Sequence, residues 1–238
     1  MVLVLILVVV ILVVALAYWV FMSSYSQIFG TFPWRVKTSK KVIALTFDDG
    51  PNEPYTSEIL DYLNSKDVKA TFFQVGKCVK RYPQTTKKII EAGHVIGNHS
   101  LSHAFHNYLT HPAFEDEIAS NQQILKNVIG KSPALFRSPW LWRQPWLLKS
   151  LKKYNLSPVS GQFCSPLEPF QIDGKKIASS AIRIAKPGAI IIFHDGKESK
   201  GGDRSETVKA VKIVVNRLIQ DGYEFKTVDE LLGIKAYQ

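Results

Sequence analysis

Cysteine is scarce in this sequence, which has only Cys78 and Cys164 among its 238 residues. A disulfide framework of the kind that holds small secreted domains together is therefore excluded, and the two thiols are either free or joined in one bridge. Charge is absent from one end of the chain, because no Asp, Glu, Lys or Arg occurs before Arg35. The remaining residues, about 200, are enough to bury one hydrophobic core without covalent help.

The uncharged N-terminal stretch predicts a membrane anchor over residues 1–22. Val2 to Met22 are apolar without interruption, and about 20 helical residues cross the hydrocarbon layer of a bilayer. Aromatic residues, which favour the membrane interface, lie at its end: Tyr18, Trp19 and Phe21. A cleaved signal peptide is the rival interpretation, because Ala15-Leu16-Ala17 resembles a cleavage site. The length of the run and the lack of a preceding basic residue favour an anchor.

The basic residues all lie in the rest of the chain, where Lys and Arg number 30 against 20 Asp and Glu. A net charge of +10 favours anionic partners such as wall polymers or membrane head groups. Nucleic acid is not expected, because no compact basic stripe with interleaved aromatic residues occurs. The sequence indicates no oligomeric state.

Short apolar runs alternate with amphipathic stretches after residue 41, which predicts parallel β-α units. Residues 23–40 lack periodicity and are interpreted as a linker. The predicted strands are Val42 to Phe47, Ala70 to Val75, His94 to Ile96, Ala134 to Phe136, Pro158 to Phe163, Ala189 to Phe193 and Tyr223 to Val228. The predicted helices are Tyr55 to Ser65, Pro83 to Ala92, Phe114 to Ile129, Pro145 to Tyr154, Lys176 to Ala185 and Glu206 to Gln220. Seven strands fit a closed or nearly closed barrel better than an open doubly wound sheet, which is the alternative.

Polar residues follow several of these strands. Asp48 and Asp49 follow the first strand, His99 the third, Arg137 the fourth, and His194 with Asp195 the sixth. In both architectures the carboxyl ends of the strands carry the chemistry. We therefore expect these residues to meet at one rim.

The stretches "TFDDGP" and "GNHSLSH" predict a metal site. Two adjacent carboxylates repel each other unless a cation or a proton lies between them. His99 and His103 are four residues apart, which brings both rings to one side of a helical turn. With one aspartate they form a three-ligand set that leaves a position for water, as a catalytic zinc site requires. The competing interpretations are surface histidines and a turn or calcium loop, but the latter lacks the regular oxygen ligands of an EF-hand.

The remaining candidates have roles in acid–base chemistry and orientation. One aspartate would bind the ion, and the other would act as general base towards water, whose pKa the ion lowers. His194 is a natural general acid at neutral pH. Arg137 in "FRSPW" can orient a carboxylate, and the nearby tryptophans can stack on a sugar, although a structural ion pair and a core indole are at least equally good explanations.

Together the motifs "TFDDGP", "HSLSH", "RSPW" and "IIFHD" resemble those of the polysaccharide deacetylase family, also called the NodB-homology or carbohydrate esterase family 4 domain. The resemblance implies a distorted (β/α) barrel of about seven parallel strands over residues 41–238. It also implies a divalent ion, Zn²⁺ first, with Co²⁺, Ni²⁺ and Mn²⁺ as alternatives. Asp48 would be the base, His194 the acid and Arg137 the residue that steadies Asp48. Asp49, His99 and His103 would be the ligands. Trp140, Pro139 and Ile192 would contact the substrate.

The family's fourth motif, an Asp-x-x-Asp-Trp-like stretch, is missing near residues 158–173. Glu168 or Asp173 is the candidate replacement for the carboxylate that orients His194. Without such a partner, a histidine is a slower acid.

The expected function is metal-dependent removal of acetyl groups from N-acetylated amino sugars of a cell-wall or extracellular polysaccharide, peptidoglycan or chitin-like. The domain would be anchored outside the cytoplasmic membrane. The basic residues after the apolar run would favour the opposite orientation, but the substrate argument outweighs them. The alternatives are a weak or inactive glycan-binding homologue that retains the metal site, and a metal amidase for a small substrate.

Overall fold

The computed structural model describes residues 1–238, in which strands and helices alternate after an N-terminal helix. The strands are β1 (Val42–Asp48), β2 (Thr71–Gln74), β3 (Val95–Asn98), β4 (Leu135–Phe136), β5 (Ser157–Pro158), β6 (Gln162–Phe163), β7 (Ile190–His194) and β8 (Glu224–Phe225). The helices are α1 (Val2–Met22), α2 (Tyr55–Ser65), α3 (Gly76–Arg81), α4 (Pro83–Glu91), α5 (His111–Ile129), α6 (Leu147–Lys153), α7 (Gly174–Ile184), α8 (Ser205–Gln220) and α9 (Val228–Leu232).

Seven of the strands form one curled parallel sheet. Their order is β5-β4-β3-β2-β1-β7-β6, and the short strand β8 pairs with the beginning of β1. The two edge strands, β5 and β6, are consecutive in the chain and only residues 159–161 separate them. From Pro158 to Gln162 the chain takes four steps, which span about 13–14 Å at most, so the two edges of the sheet are near each other at this point. The predicted distorted barrel of parallel strands is confirmed, in the form of a curled half-barrel whose edge strands β5 and β6 do not pair.

The predicted strand Pro158 to Phe163 is wrong as a single element. It is divided into β5, which pairs with β4, and β6, which pairs with β7 on the other side of the barrel. Gly161 lies between them, and a Cβ atom there would come within 2.7 Å of the Ile192 side chain. Because the chain passes so close to β7 at this point, it bends from one edge of the sheet to the other.

The two faces of β1 have different surroundings. Ile43, Leu45 and Phe47 belong to the large core between the sheet and the helices, whereas Ala44 belongs to a smaller cluster inside the curled sheet. Since side chains alternate along a strand, Asp48 lies on the inner face with Ala44. Burial on both faces explains why this strand reads as a continuous apolar run.

The N-terminal helix α1 projects from the domain, and only its last three residues are partly buried. Its length and composition are those of a membrane span, and a signal sequence would look the same. The predicted linker lies along the domain surface: Phe32 is buried, and the N–H of Val36 donates to Gly188 O at 2.8 Å. Both cysteines are buried and free, which settles the alternative that the sequence left open.

Candidate active site

Asp48, at the carboxyl end of β1, forms a buried ion pair with Arg137, which follows β4. Nη1 of Arg137 donates to Oδ1 of Asp48 at 2.7 Å and to Oγ1 of Thr46 at the same distance. Nη2 of Arg137 donates to the carbonyl of Ser160 at 3.0 Å. The arginine side chain is fully buried, so its fixed fork of donors holds the Asp48 carboxylate in one orientation.

Asp49 points to a different group of residues, because its backbone has φ 73° and turns the chain after β1. Its Oδ1 lies 3.3 Å from Nε2 of His99 and 3.2 Å from Nε2 of His103. Nδ1 of His99 lies 2.7 Å from the carbonyl of Arg137. Since a carbonyl only accepts, Nδ1 carries the proton, and in the neutral ring Nε2 presents a lone pair to Asp49.

These three side chains fit a divalent cation. Their ligand atoms all lie within 4.8 Å of one another, and Oδ1 of Asp49 is buried without a hydrogen-bond partner. Burial lowers the pKa of His103, which favours the neutral imidazole that metals bind. Burial raises the pKa of Asp49, but His103, His99 and His194 outweigh that effect and hold it below its ordinary value. The site is therefore a buried anion facing two imidazoles.

The helical turn predicted for His99 and His103 is wrong. Residues 99–104 form an irregular loop in which Ser100 and His103 have φ of 68° and 54°. Buried polar side chains hold this loop: Oδ1 of Asn98 accepts from the N–H of Ser100, and the Glu117 carboxylate of α5 accepts from the N–H and hydroxyl of Ser102. His99 and His103 lie close together because hydrogen bonds to Asn98 and Glu117 fix the shape of this loop, and not because of helical spacing.

Replacing Glu117 with glutamine will weaken the binding of a divalent cation at this candidate site by about 10- to 100-fold, the usual effect of removing support from behind metal ligands. The carboxylate accepts from Ser102 through both oxygens and from the Asn107 amide through Oε1. Glutamine keeps only one acceptor oxygen and turns the other position into an N–H donor, which faces the Asn107 amide, so the loop that carries His103 loses part of its support. Isothermal titration with zinc measures the change. Glu115→Gln is the matched control, because Glu115 lies on the same helix but pairs with Lys153. Equal zinc affinity in both variants would contradict this role for Glu117.

His194, the last residue of β7, has a buried carboxylate as its partner. Nδ1 of His194 lies 2.7 Å from Oε2 of Glu168, whose Oε1 accepts from the hydroxyl of Thr207. Burial lowers the pKa of His194, but Glu168 and the two aspartates outweigh it and raise that pKa to about 9. Asp173, the other candidate carboxylate, instead caps the N-terminus of α7. Glu168 therefore takes the position for which the sequence offered two candidates.

Asp195, the residue after β7, supports the turn that follows β1. Its backbone N–H donates to the carbonyl of Asp48, and its Oδ2 accepts from the hydroxyl of Thr56 at 2.6 Å. Burial raises the pKa of Asp195 to about 7. Gly50 packs directly on this carboxylate, since a Cβ atom there would lie 2.1 Å from Oδ2 of Asp195.

Replacing Gly50 with alanine will lower the free energy of unfolding by about 1–3 kcal/mol, the usual cost of overpacking a rigid site. The added methyl group pushes Asp195 and the turn apart, so zinc affinity falls as well. Urea denaturation and zinc titration measure the two effects. An unchanged denaturation midpoint would show that the turn has room that the structure does not indicate.

Six of the nine candidate residues border one cavity of about 270 Å³. Asp48, Asp49, His99, His103, His194 and Trp140 line it. The ring of Trp140 lies 4.2 Å from that of His103, measured between centroids. Arg137, Pro139 and Ile192 are buried and do not line the cavity. The substrate contacts predicted for Trp140, Pro139 and Ile192 stay predictions.

The sequence did not single out several residues that line the cavity, namely Ser138, Leu141, Phe163, Pro169, Lys197, Glu198 and Arg204. Phe163 stacks on His194, with ring planes 10° apart and centroids separated by 6.1 Å. Lys197 and Glu198 could have been predicted, because they directly follow "FHDG" at the end of a strand. Residues that follow parallel strands lie at the same rim of the sheet.

Comparison with known proteins identifies the family. Residues 35–159 match the family model for polysaccharide deacetylase. A peptidoglycan-N-acetylglucosamine deacetylase of Bacillus cereus is 34% identical over 207 residues, which cover 87% of this chain and 95% of the relative.

Solved structures agree with this match. The Bc1960 peptidoglycan N-acetylglucosamine deacetylase, in complex with a hydroxamate-type benzamide, superposes with a TM-score of 0.77 at 26% identity, covering 87% of this chain and 93% of its own. A mutant of BA3943, described as a CE4 family pseudoenzyme with restored enzymatic activity, superposes with a TM-score of 0.76 at 25% identity. The match covers 85% of this chain and 71% of the mutant chain. The chain therefore belongs to the polysaccharide deacetylase family of hydrolases, as its motifs predict.

Proposed function

We propose that this protein removes N-acetyl groups from amino sugars of peptidoglycan, with a divalent cation held by Asp49, His99 and His103. The arrangement around one cavity carries this proposal. Asp48 and His194 are register partners on the adjacent strands β1 and β7, and both border the cavity beside the three possible ligands. A base and an acid beside a cation site are what amide hydrolysis requires.

A bound divalent ion supplies Lewis acidity, which acidifies water and polarises the acetyl carbonyl. Its donor set of two imidazoles and one carboxylate suits Zn²⁺, which we propose as the native ion. Co²⁺, Ni²⁺ and Mn²⁺ accept similar ligands and are the ions to compare.

Asp48 takes the proton of the water that attacks the acetyl carbon. Arg137 binds Oδ1 of this carboxylate and leaves Oδ2 to accept the proton. Because Arg137 also holds Thr46 and Ser160, the base cannot rotate away from the cavity. Arg137 thus acts through Asp48, without touching the substrate.

His194 gives a proton to the amine nitrogen as the carbon–nitrogen bond breaks. Glu168 holds Nδ1, so Nε2 is the atom that delivers this proton. A pKa raised to about 9 keeps the imidazolium populated at neutral pH. The products are acetate and a free amino sugar.

The alternative is a weak or inactive glycan-binding homologue that retains the metal site. A pseudoenzyme among the structural neighbours makes this a real alternative, but the Glu168–His194 pair supports turnover. The test is acetate release from an oligomer of N-acetylglucosamine by zinc-loaded protein, with chelator-stripped protein as the control. Release only by the loaded protein supports the proposal. Retention of the oligomer without acetate release would establish the binding protein instead.

We further propose that residues 1–22 anchor the protein and that the domain of residues 41–238 lies outside the cytoplasmic membrane, preceded by the segment of residues 23–40. The apolar helix α1, with its side chains exposed, supports this arrangement. Alkaline extraction of cell membranes, followed by N-terminal sequencing of the extracted protein, tests it. Loss of residues before position 20 would show that the helix is a signal peptide.

A further inference from the structure

The last turn of α1 is fixed to the rim of the catalytic cavity. The backbone N–H of Arg143 donates to the carbonyl of Phe21 at 2.9 Å. The ring of Trp142 stacks on that of Phe21, with centroids 5.3 Å apart. Leu141, the residue before Trp142, lines the cavity. Trp142 and Arg143, which directly follow Leu141, therefore join the end of α1 to the cavity wall.

The buried guanidinium of Arg143 makes this junction rigid. Its side chain donates to the carbonyls of Ser23 and Ser24, directly after the helix, and to the hydroxyl of Ser160 at 3.0 Å. The carbonyl of Ser160 accepts from Arg137, which holds Asp48. A buried guanidinium that donates to neutral oxygens fixes geometry, because any displacement leaves its N–H donors without acceptors. The helix is therefore attached as a rigid element.

Aromatic contacts extend this junction to a candidate metal ligand. Trp142 lies 5.3 Å from Phe105, Phe105 lies 5.2 Å from Trp140, and Trp140 lies 4.2 Å from His103, all between ring centroids. With the Phe21–Trp142 stack, four ring contacts connect the end of α1 with His103. This chain of contacts places the site no more than about 20 Å from Phe21.

Lipid is the occupant that fits the surface around this junction. Side chains of α1 up to Trp19 are exposed without protein partners, and a helix that is apolar on all sides requires an apolar medium. Ile28 is 53% exposed, Phe105 41% and Leu109 56%. Phe105 lies within the aromatic chain, Ile28 follows the helix closely, and Leu109 follows Phe105. These three residues are here called the rim patch. Ile28 precedes Phe29, whose ring lies 5.4 Å from that of Phe21, and Phe105 contacts Trp142, which also stacks on Phe21.

We propose that the bilayer surface contacts the rim patch, and that the cavity therefore acts on N-acetylated glycan attached to membrane lipid. This inference rests on the proposed deacetylase function and on retention of α1. A rigid attachment beside the cavity keeps the site within about two nanometres of the membrane. Glycan joined to lipid stays in that layer, whereas mature wall polymer extends beyond it.

Site-directed labelling tests the position of the rim patch. Cys78 and Cys164 are buried, and burial raises the pKa of both thiols, so a single engineered surface cysteine can be labelled selectively. Nitroxide labels on Ile28→Cys and Leu109→Cys, in full-length protein in anionic phospholipid vesicles, should be more accessible to oxygen than to a water-soluble nickel chelate. The control is Asn64→Cys, exposed near the opposite end of the strands, where the chelate should prevail. Equal chelate accessibility at all three positions would overturn the proposal.

A kinetic comparison tests the substrate class. Acetate release is measured from an N-acetylglucosamine oligomer that is either free or joined to a lipid in the same vesicles. The wild-type chain should prefer the lipid-linked glycan by about tenfold or more, because both partners are confined to one surface. Inserting about ten Gly and Ser residues after Met22 frees the domain, so this preference should fall several-fold while release from the free oligomer stays unchanged. If the wild-type chain and the insertion variant prefer the lipid-linked glycan equally, this inference is contradicted. If neither substrate releases acetate, the proposed deacetylase function itself is contradicted.

Discussion

Replacing His103 with alanine will abolish stable zinc binding and lower acetate release by more than about 100-fold. Loss of a direct ligand exceeds the 10- to 100-fold effect of losing a residue that only supports one. The remaining carboxylate and imidazole cannot hold a catalytic zinc ion, which takes three protein ligands and one open position. Elemental analysis after dialysis gives the zinc content, and the acetate assay gives kcat/KM.

His106→Ala is the matched control for this variant. His106 lies three residues further along the chain, is exposed and does not line the cavity. It should retain both zinc and activity. If His103→Ala kept one zinc per chain and wild-type turnover, the ion would be bound elsewhere, and the assignment of Asp49, His99 and His103 would fail together.

The sequence predicted the location of this site better than its local structure. Asp48, Asp49, His99, Arg137 and His194 meet at one rim because parallel strands end together, and strand ends can be read from apolar runs. The turn that joins His99 and His103 could not be read in that way. Its shape depends on Asn98 and Glu117, which are buried against it from β3 and α5. Contacts between distant residues overrode the local helical spacing.

The fold shows the same contrast between elements that follow from the apolar residue pattern and elements that depend on contacts between distant residues. The strand β1 and the helix α8 are evident in the sequence, because each buries a continuous or periodic set of apolar residues. The division between β5 and β6 is not evident in the sequence. It depends on the close approach of Gly161 to Ile192, two residues that are distant in the chain. Similarly, Glu168 was one of two possible partners for His194. Only the three-dimensional path of the loop after β6 distinguishes it from Asp173.

Replacing Glu168 with glutamine will lower kcat by about 10²–10⁴-fold, the range that general acid–base groups contribute. The glutamine side chain keeps the size of Glu168 but removes the charge that faces Nδ1 of His194. The protonated form of His194 is populated below its pKa, which Glu168 helps to raise to about 9. Without that charge the pKa falls, so the imidazolium is lost at lower pH. The alkaline limb of the pH profile of kcat/KM should therefore move to lower pH than in the wild type.

Asp173→Asn separates this effect from general damage to the loop. Asp173 accepts from the N–H groups of Lys175 and Lys176 at the N-terminus of α7. Because asparagine is as good an N-cap residue as aspartate, this replacement should leave the stability nearly unchanged. Its pH profile should match that of the wild type. A merely structural role for Glu168 would lower activity equally at every pH and leave the alkaline limb in place. The displaced limb thus distinguishes a carboxylate that tunes the acid from one that only fills space beneath it.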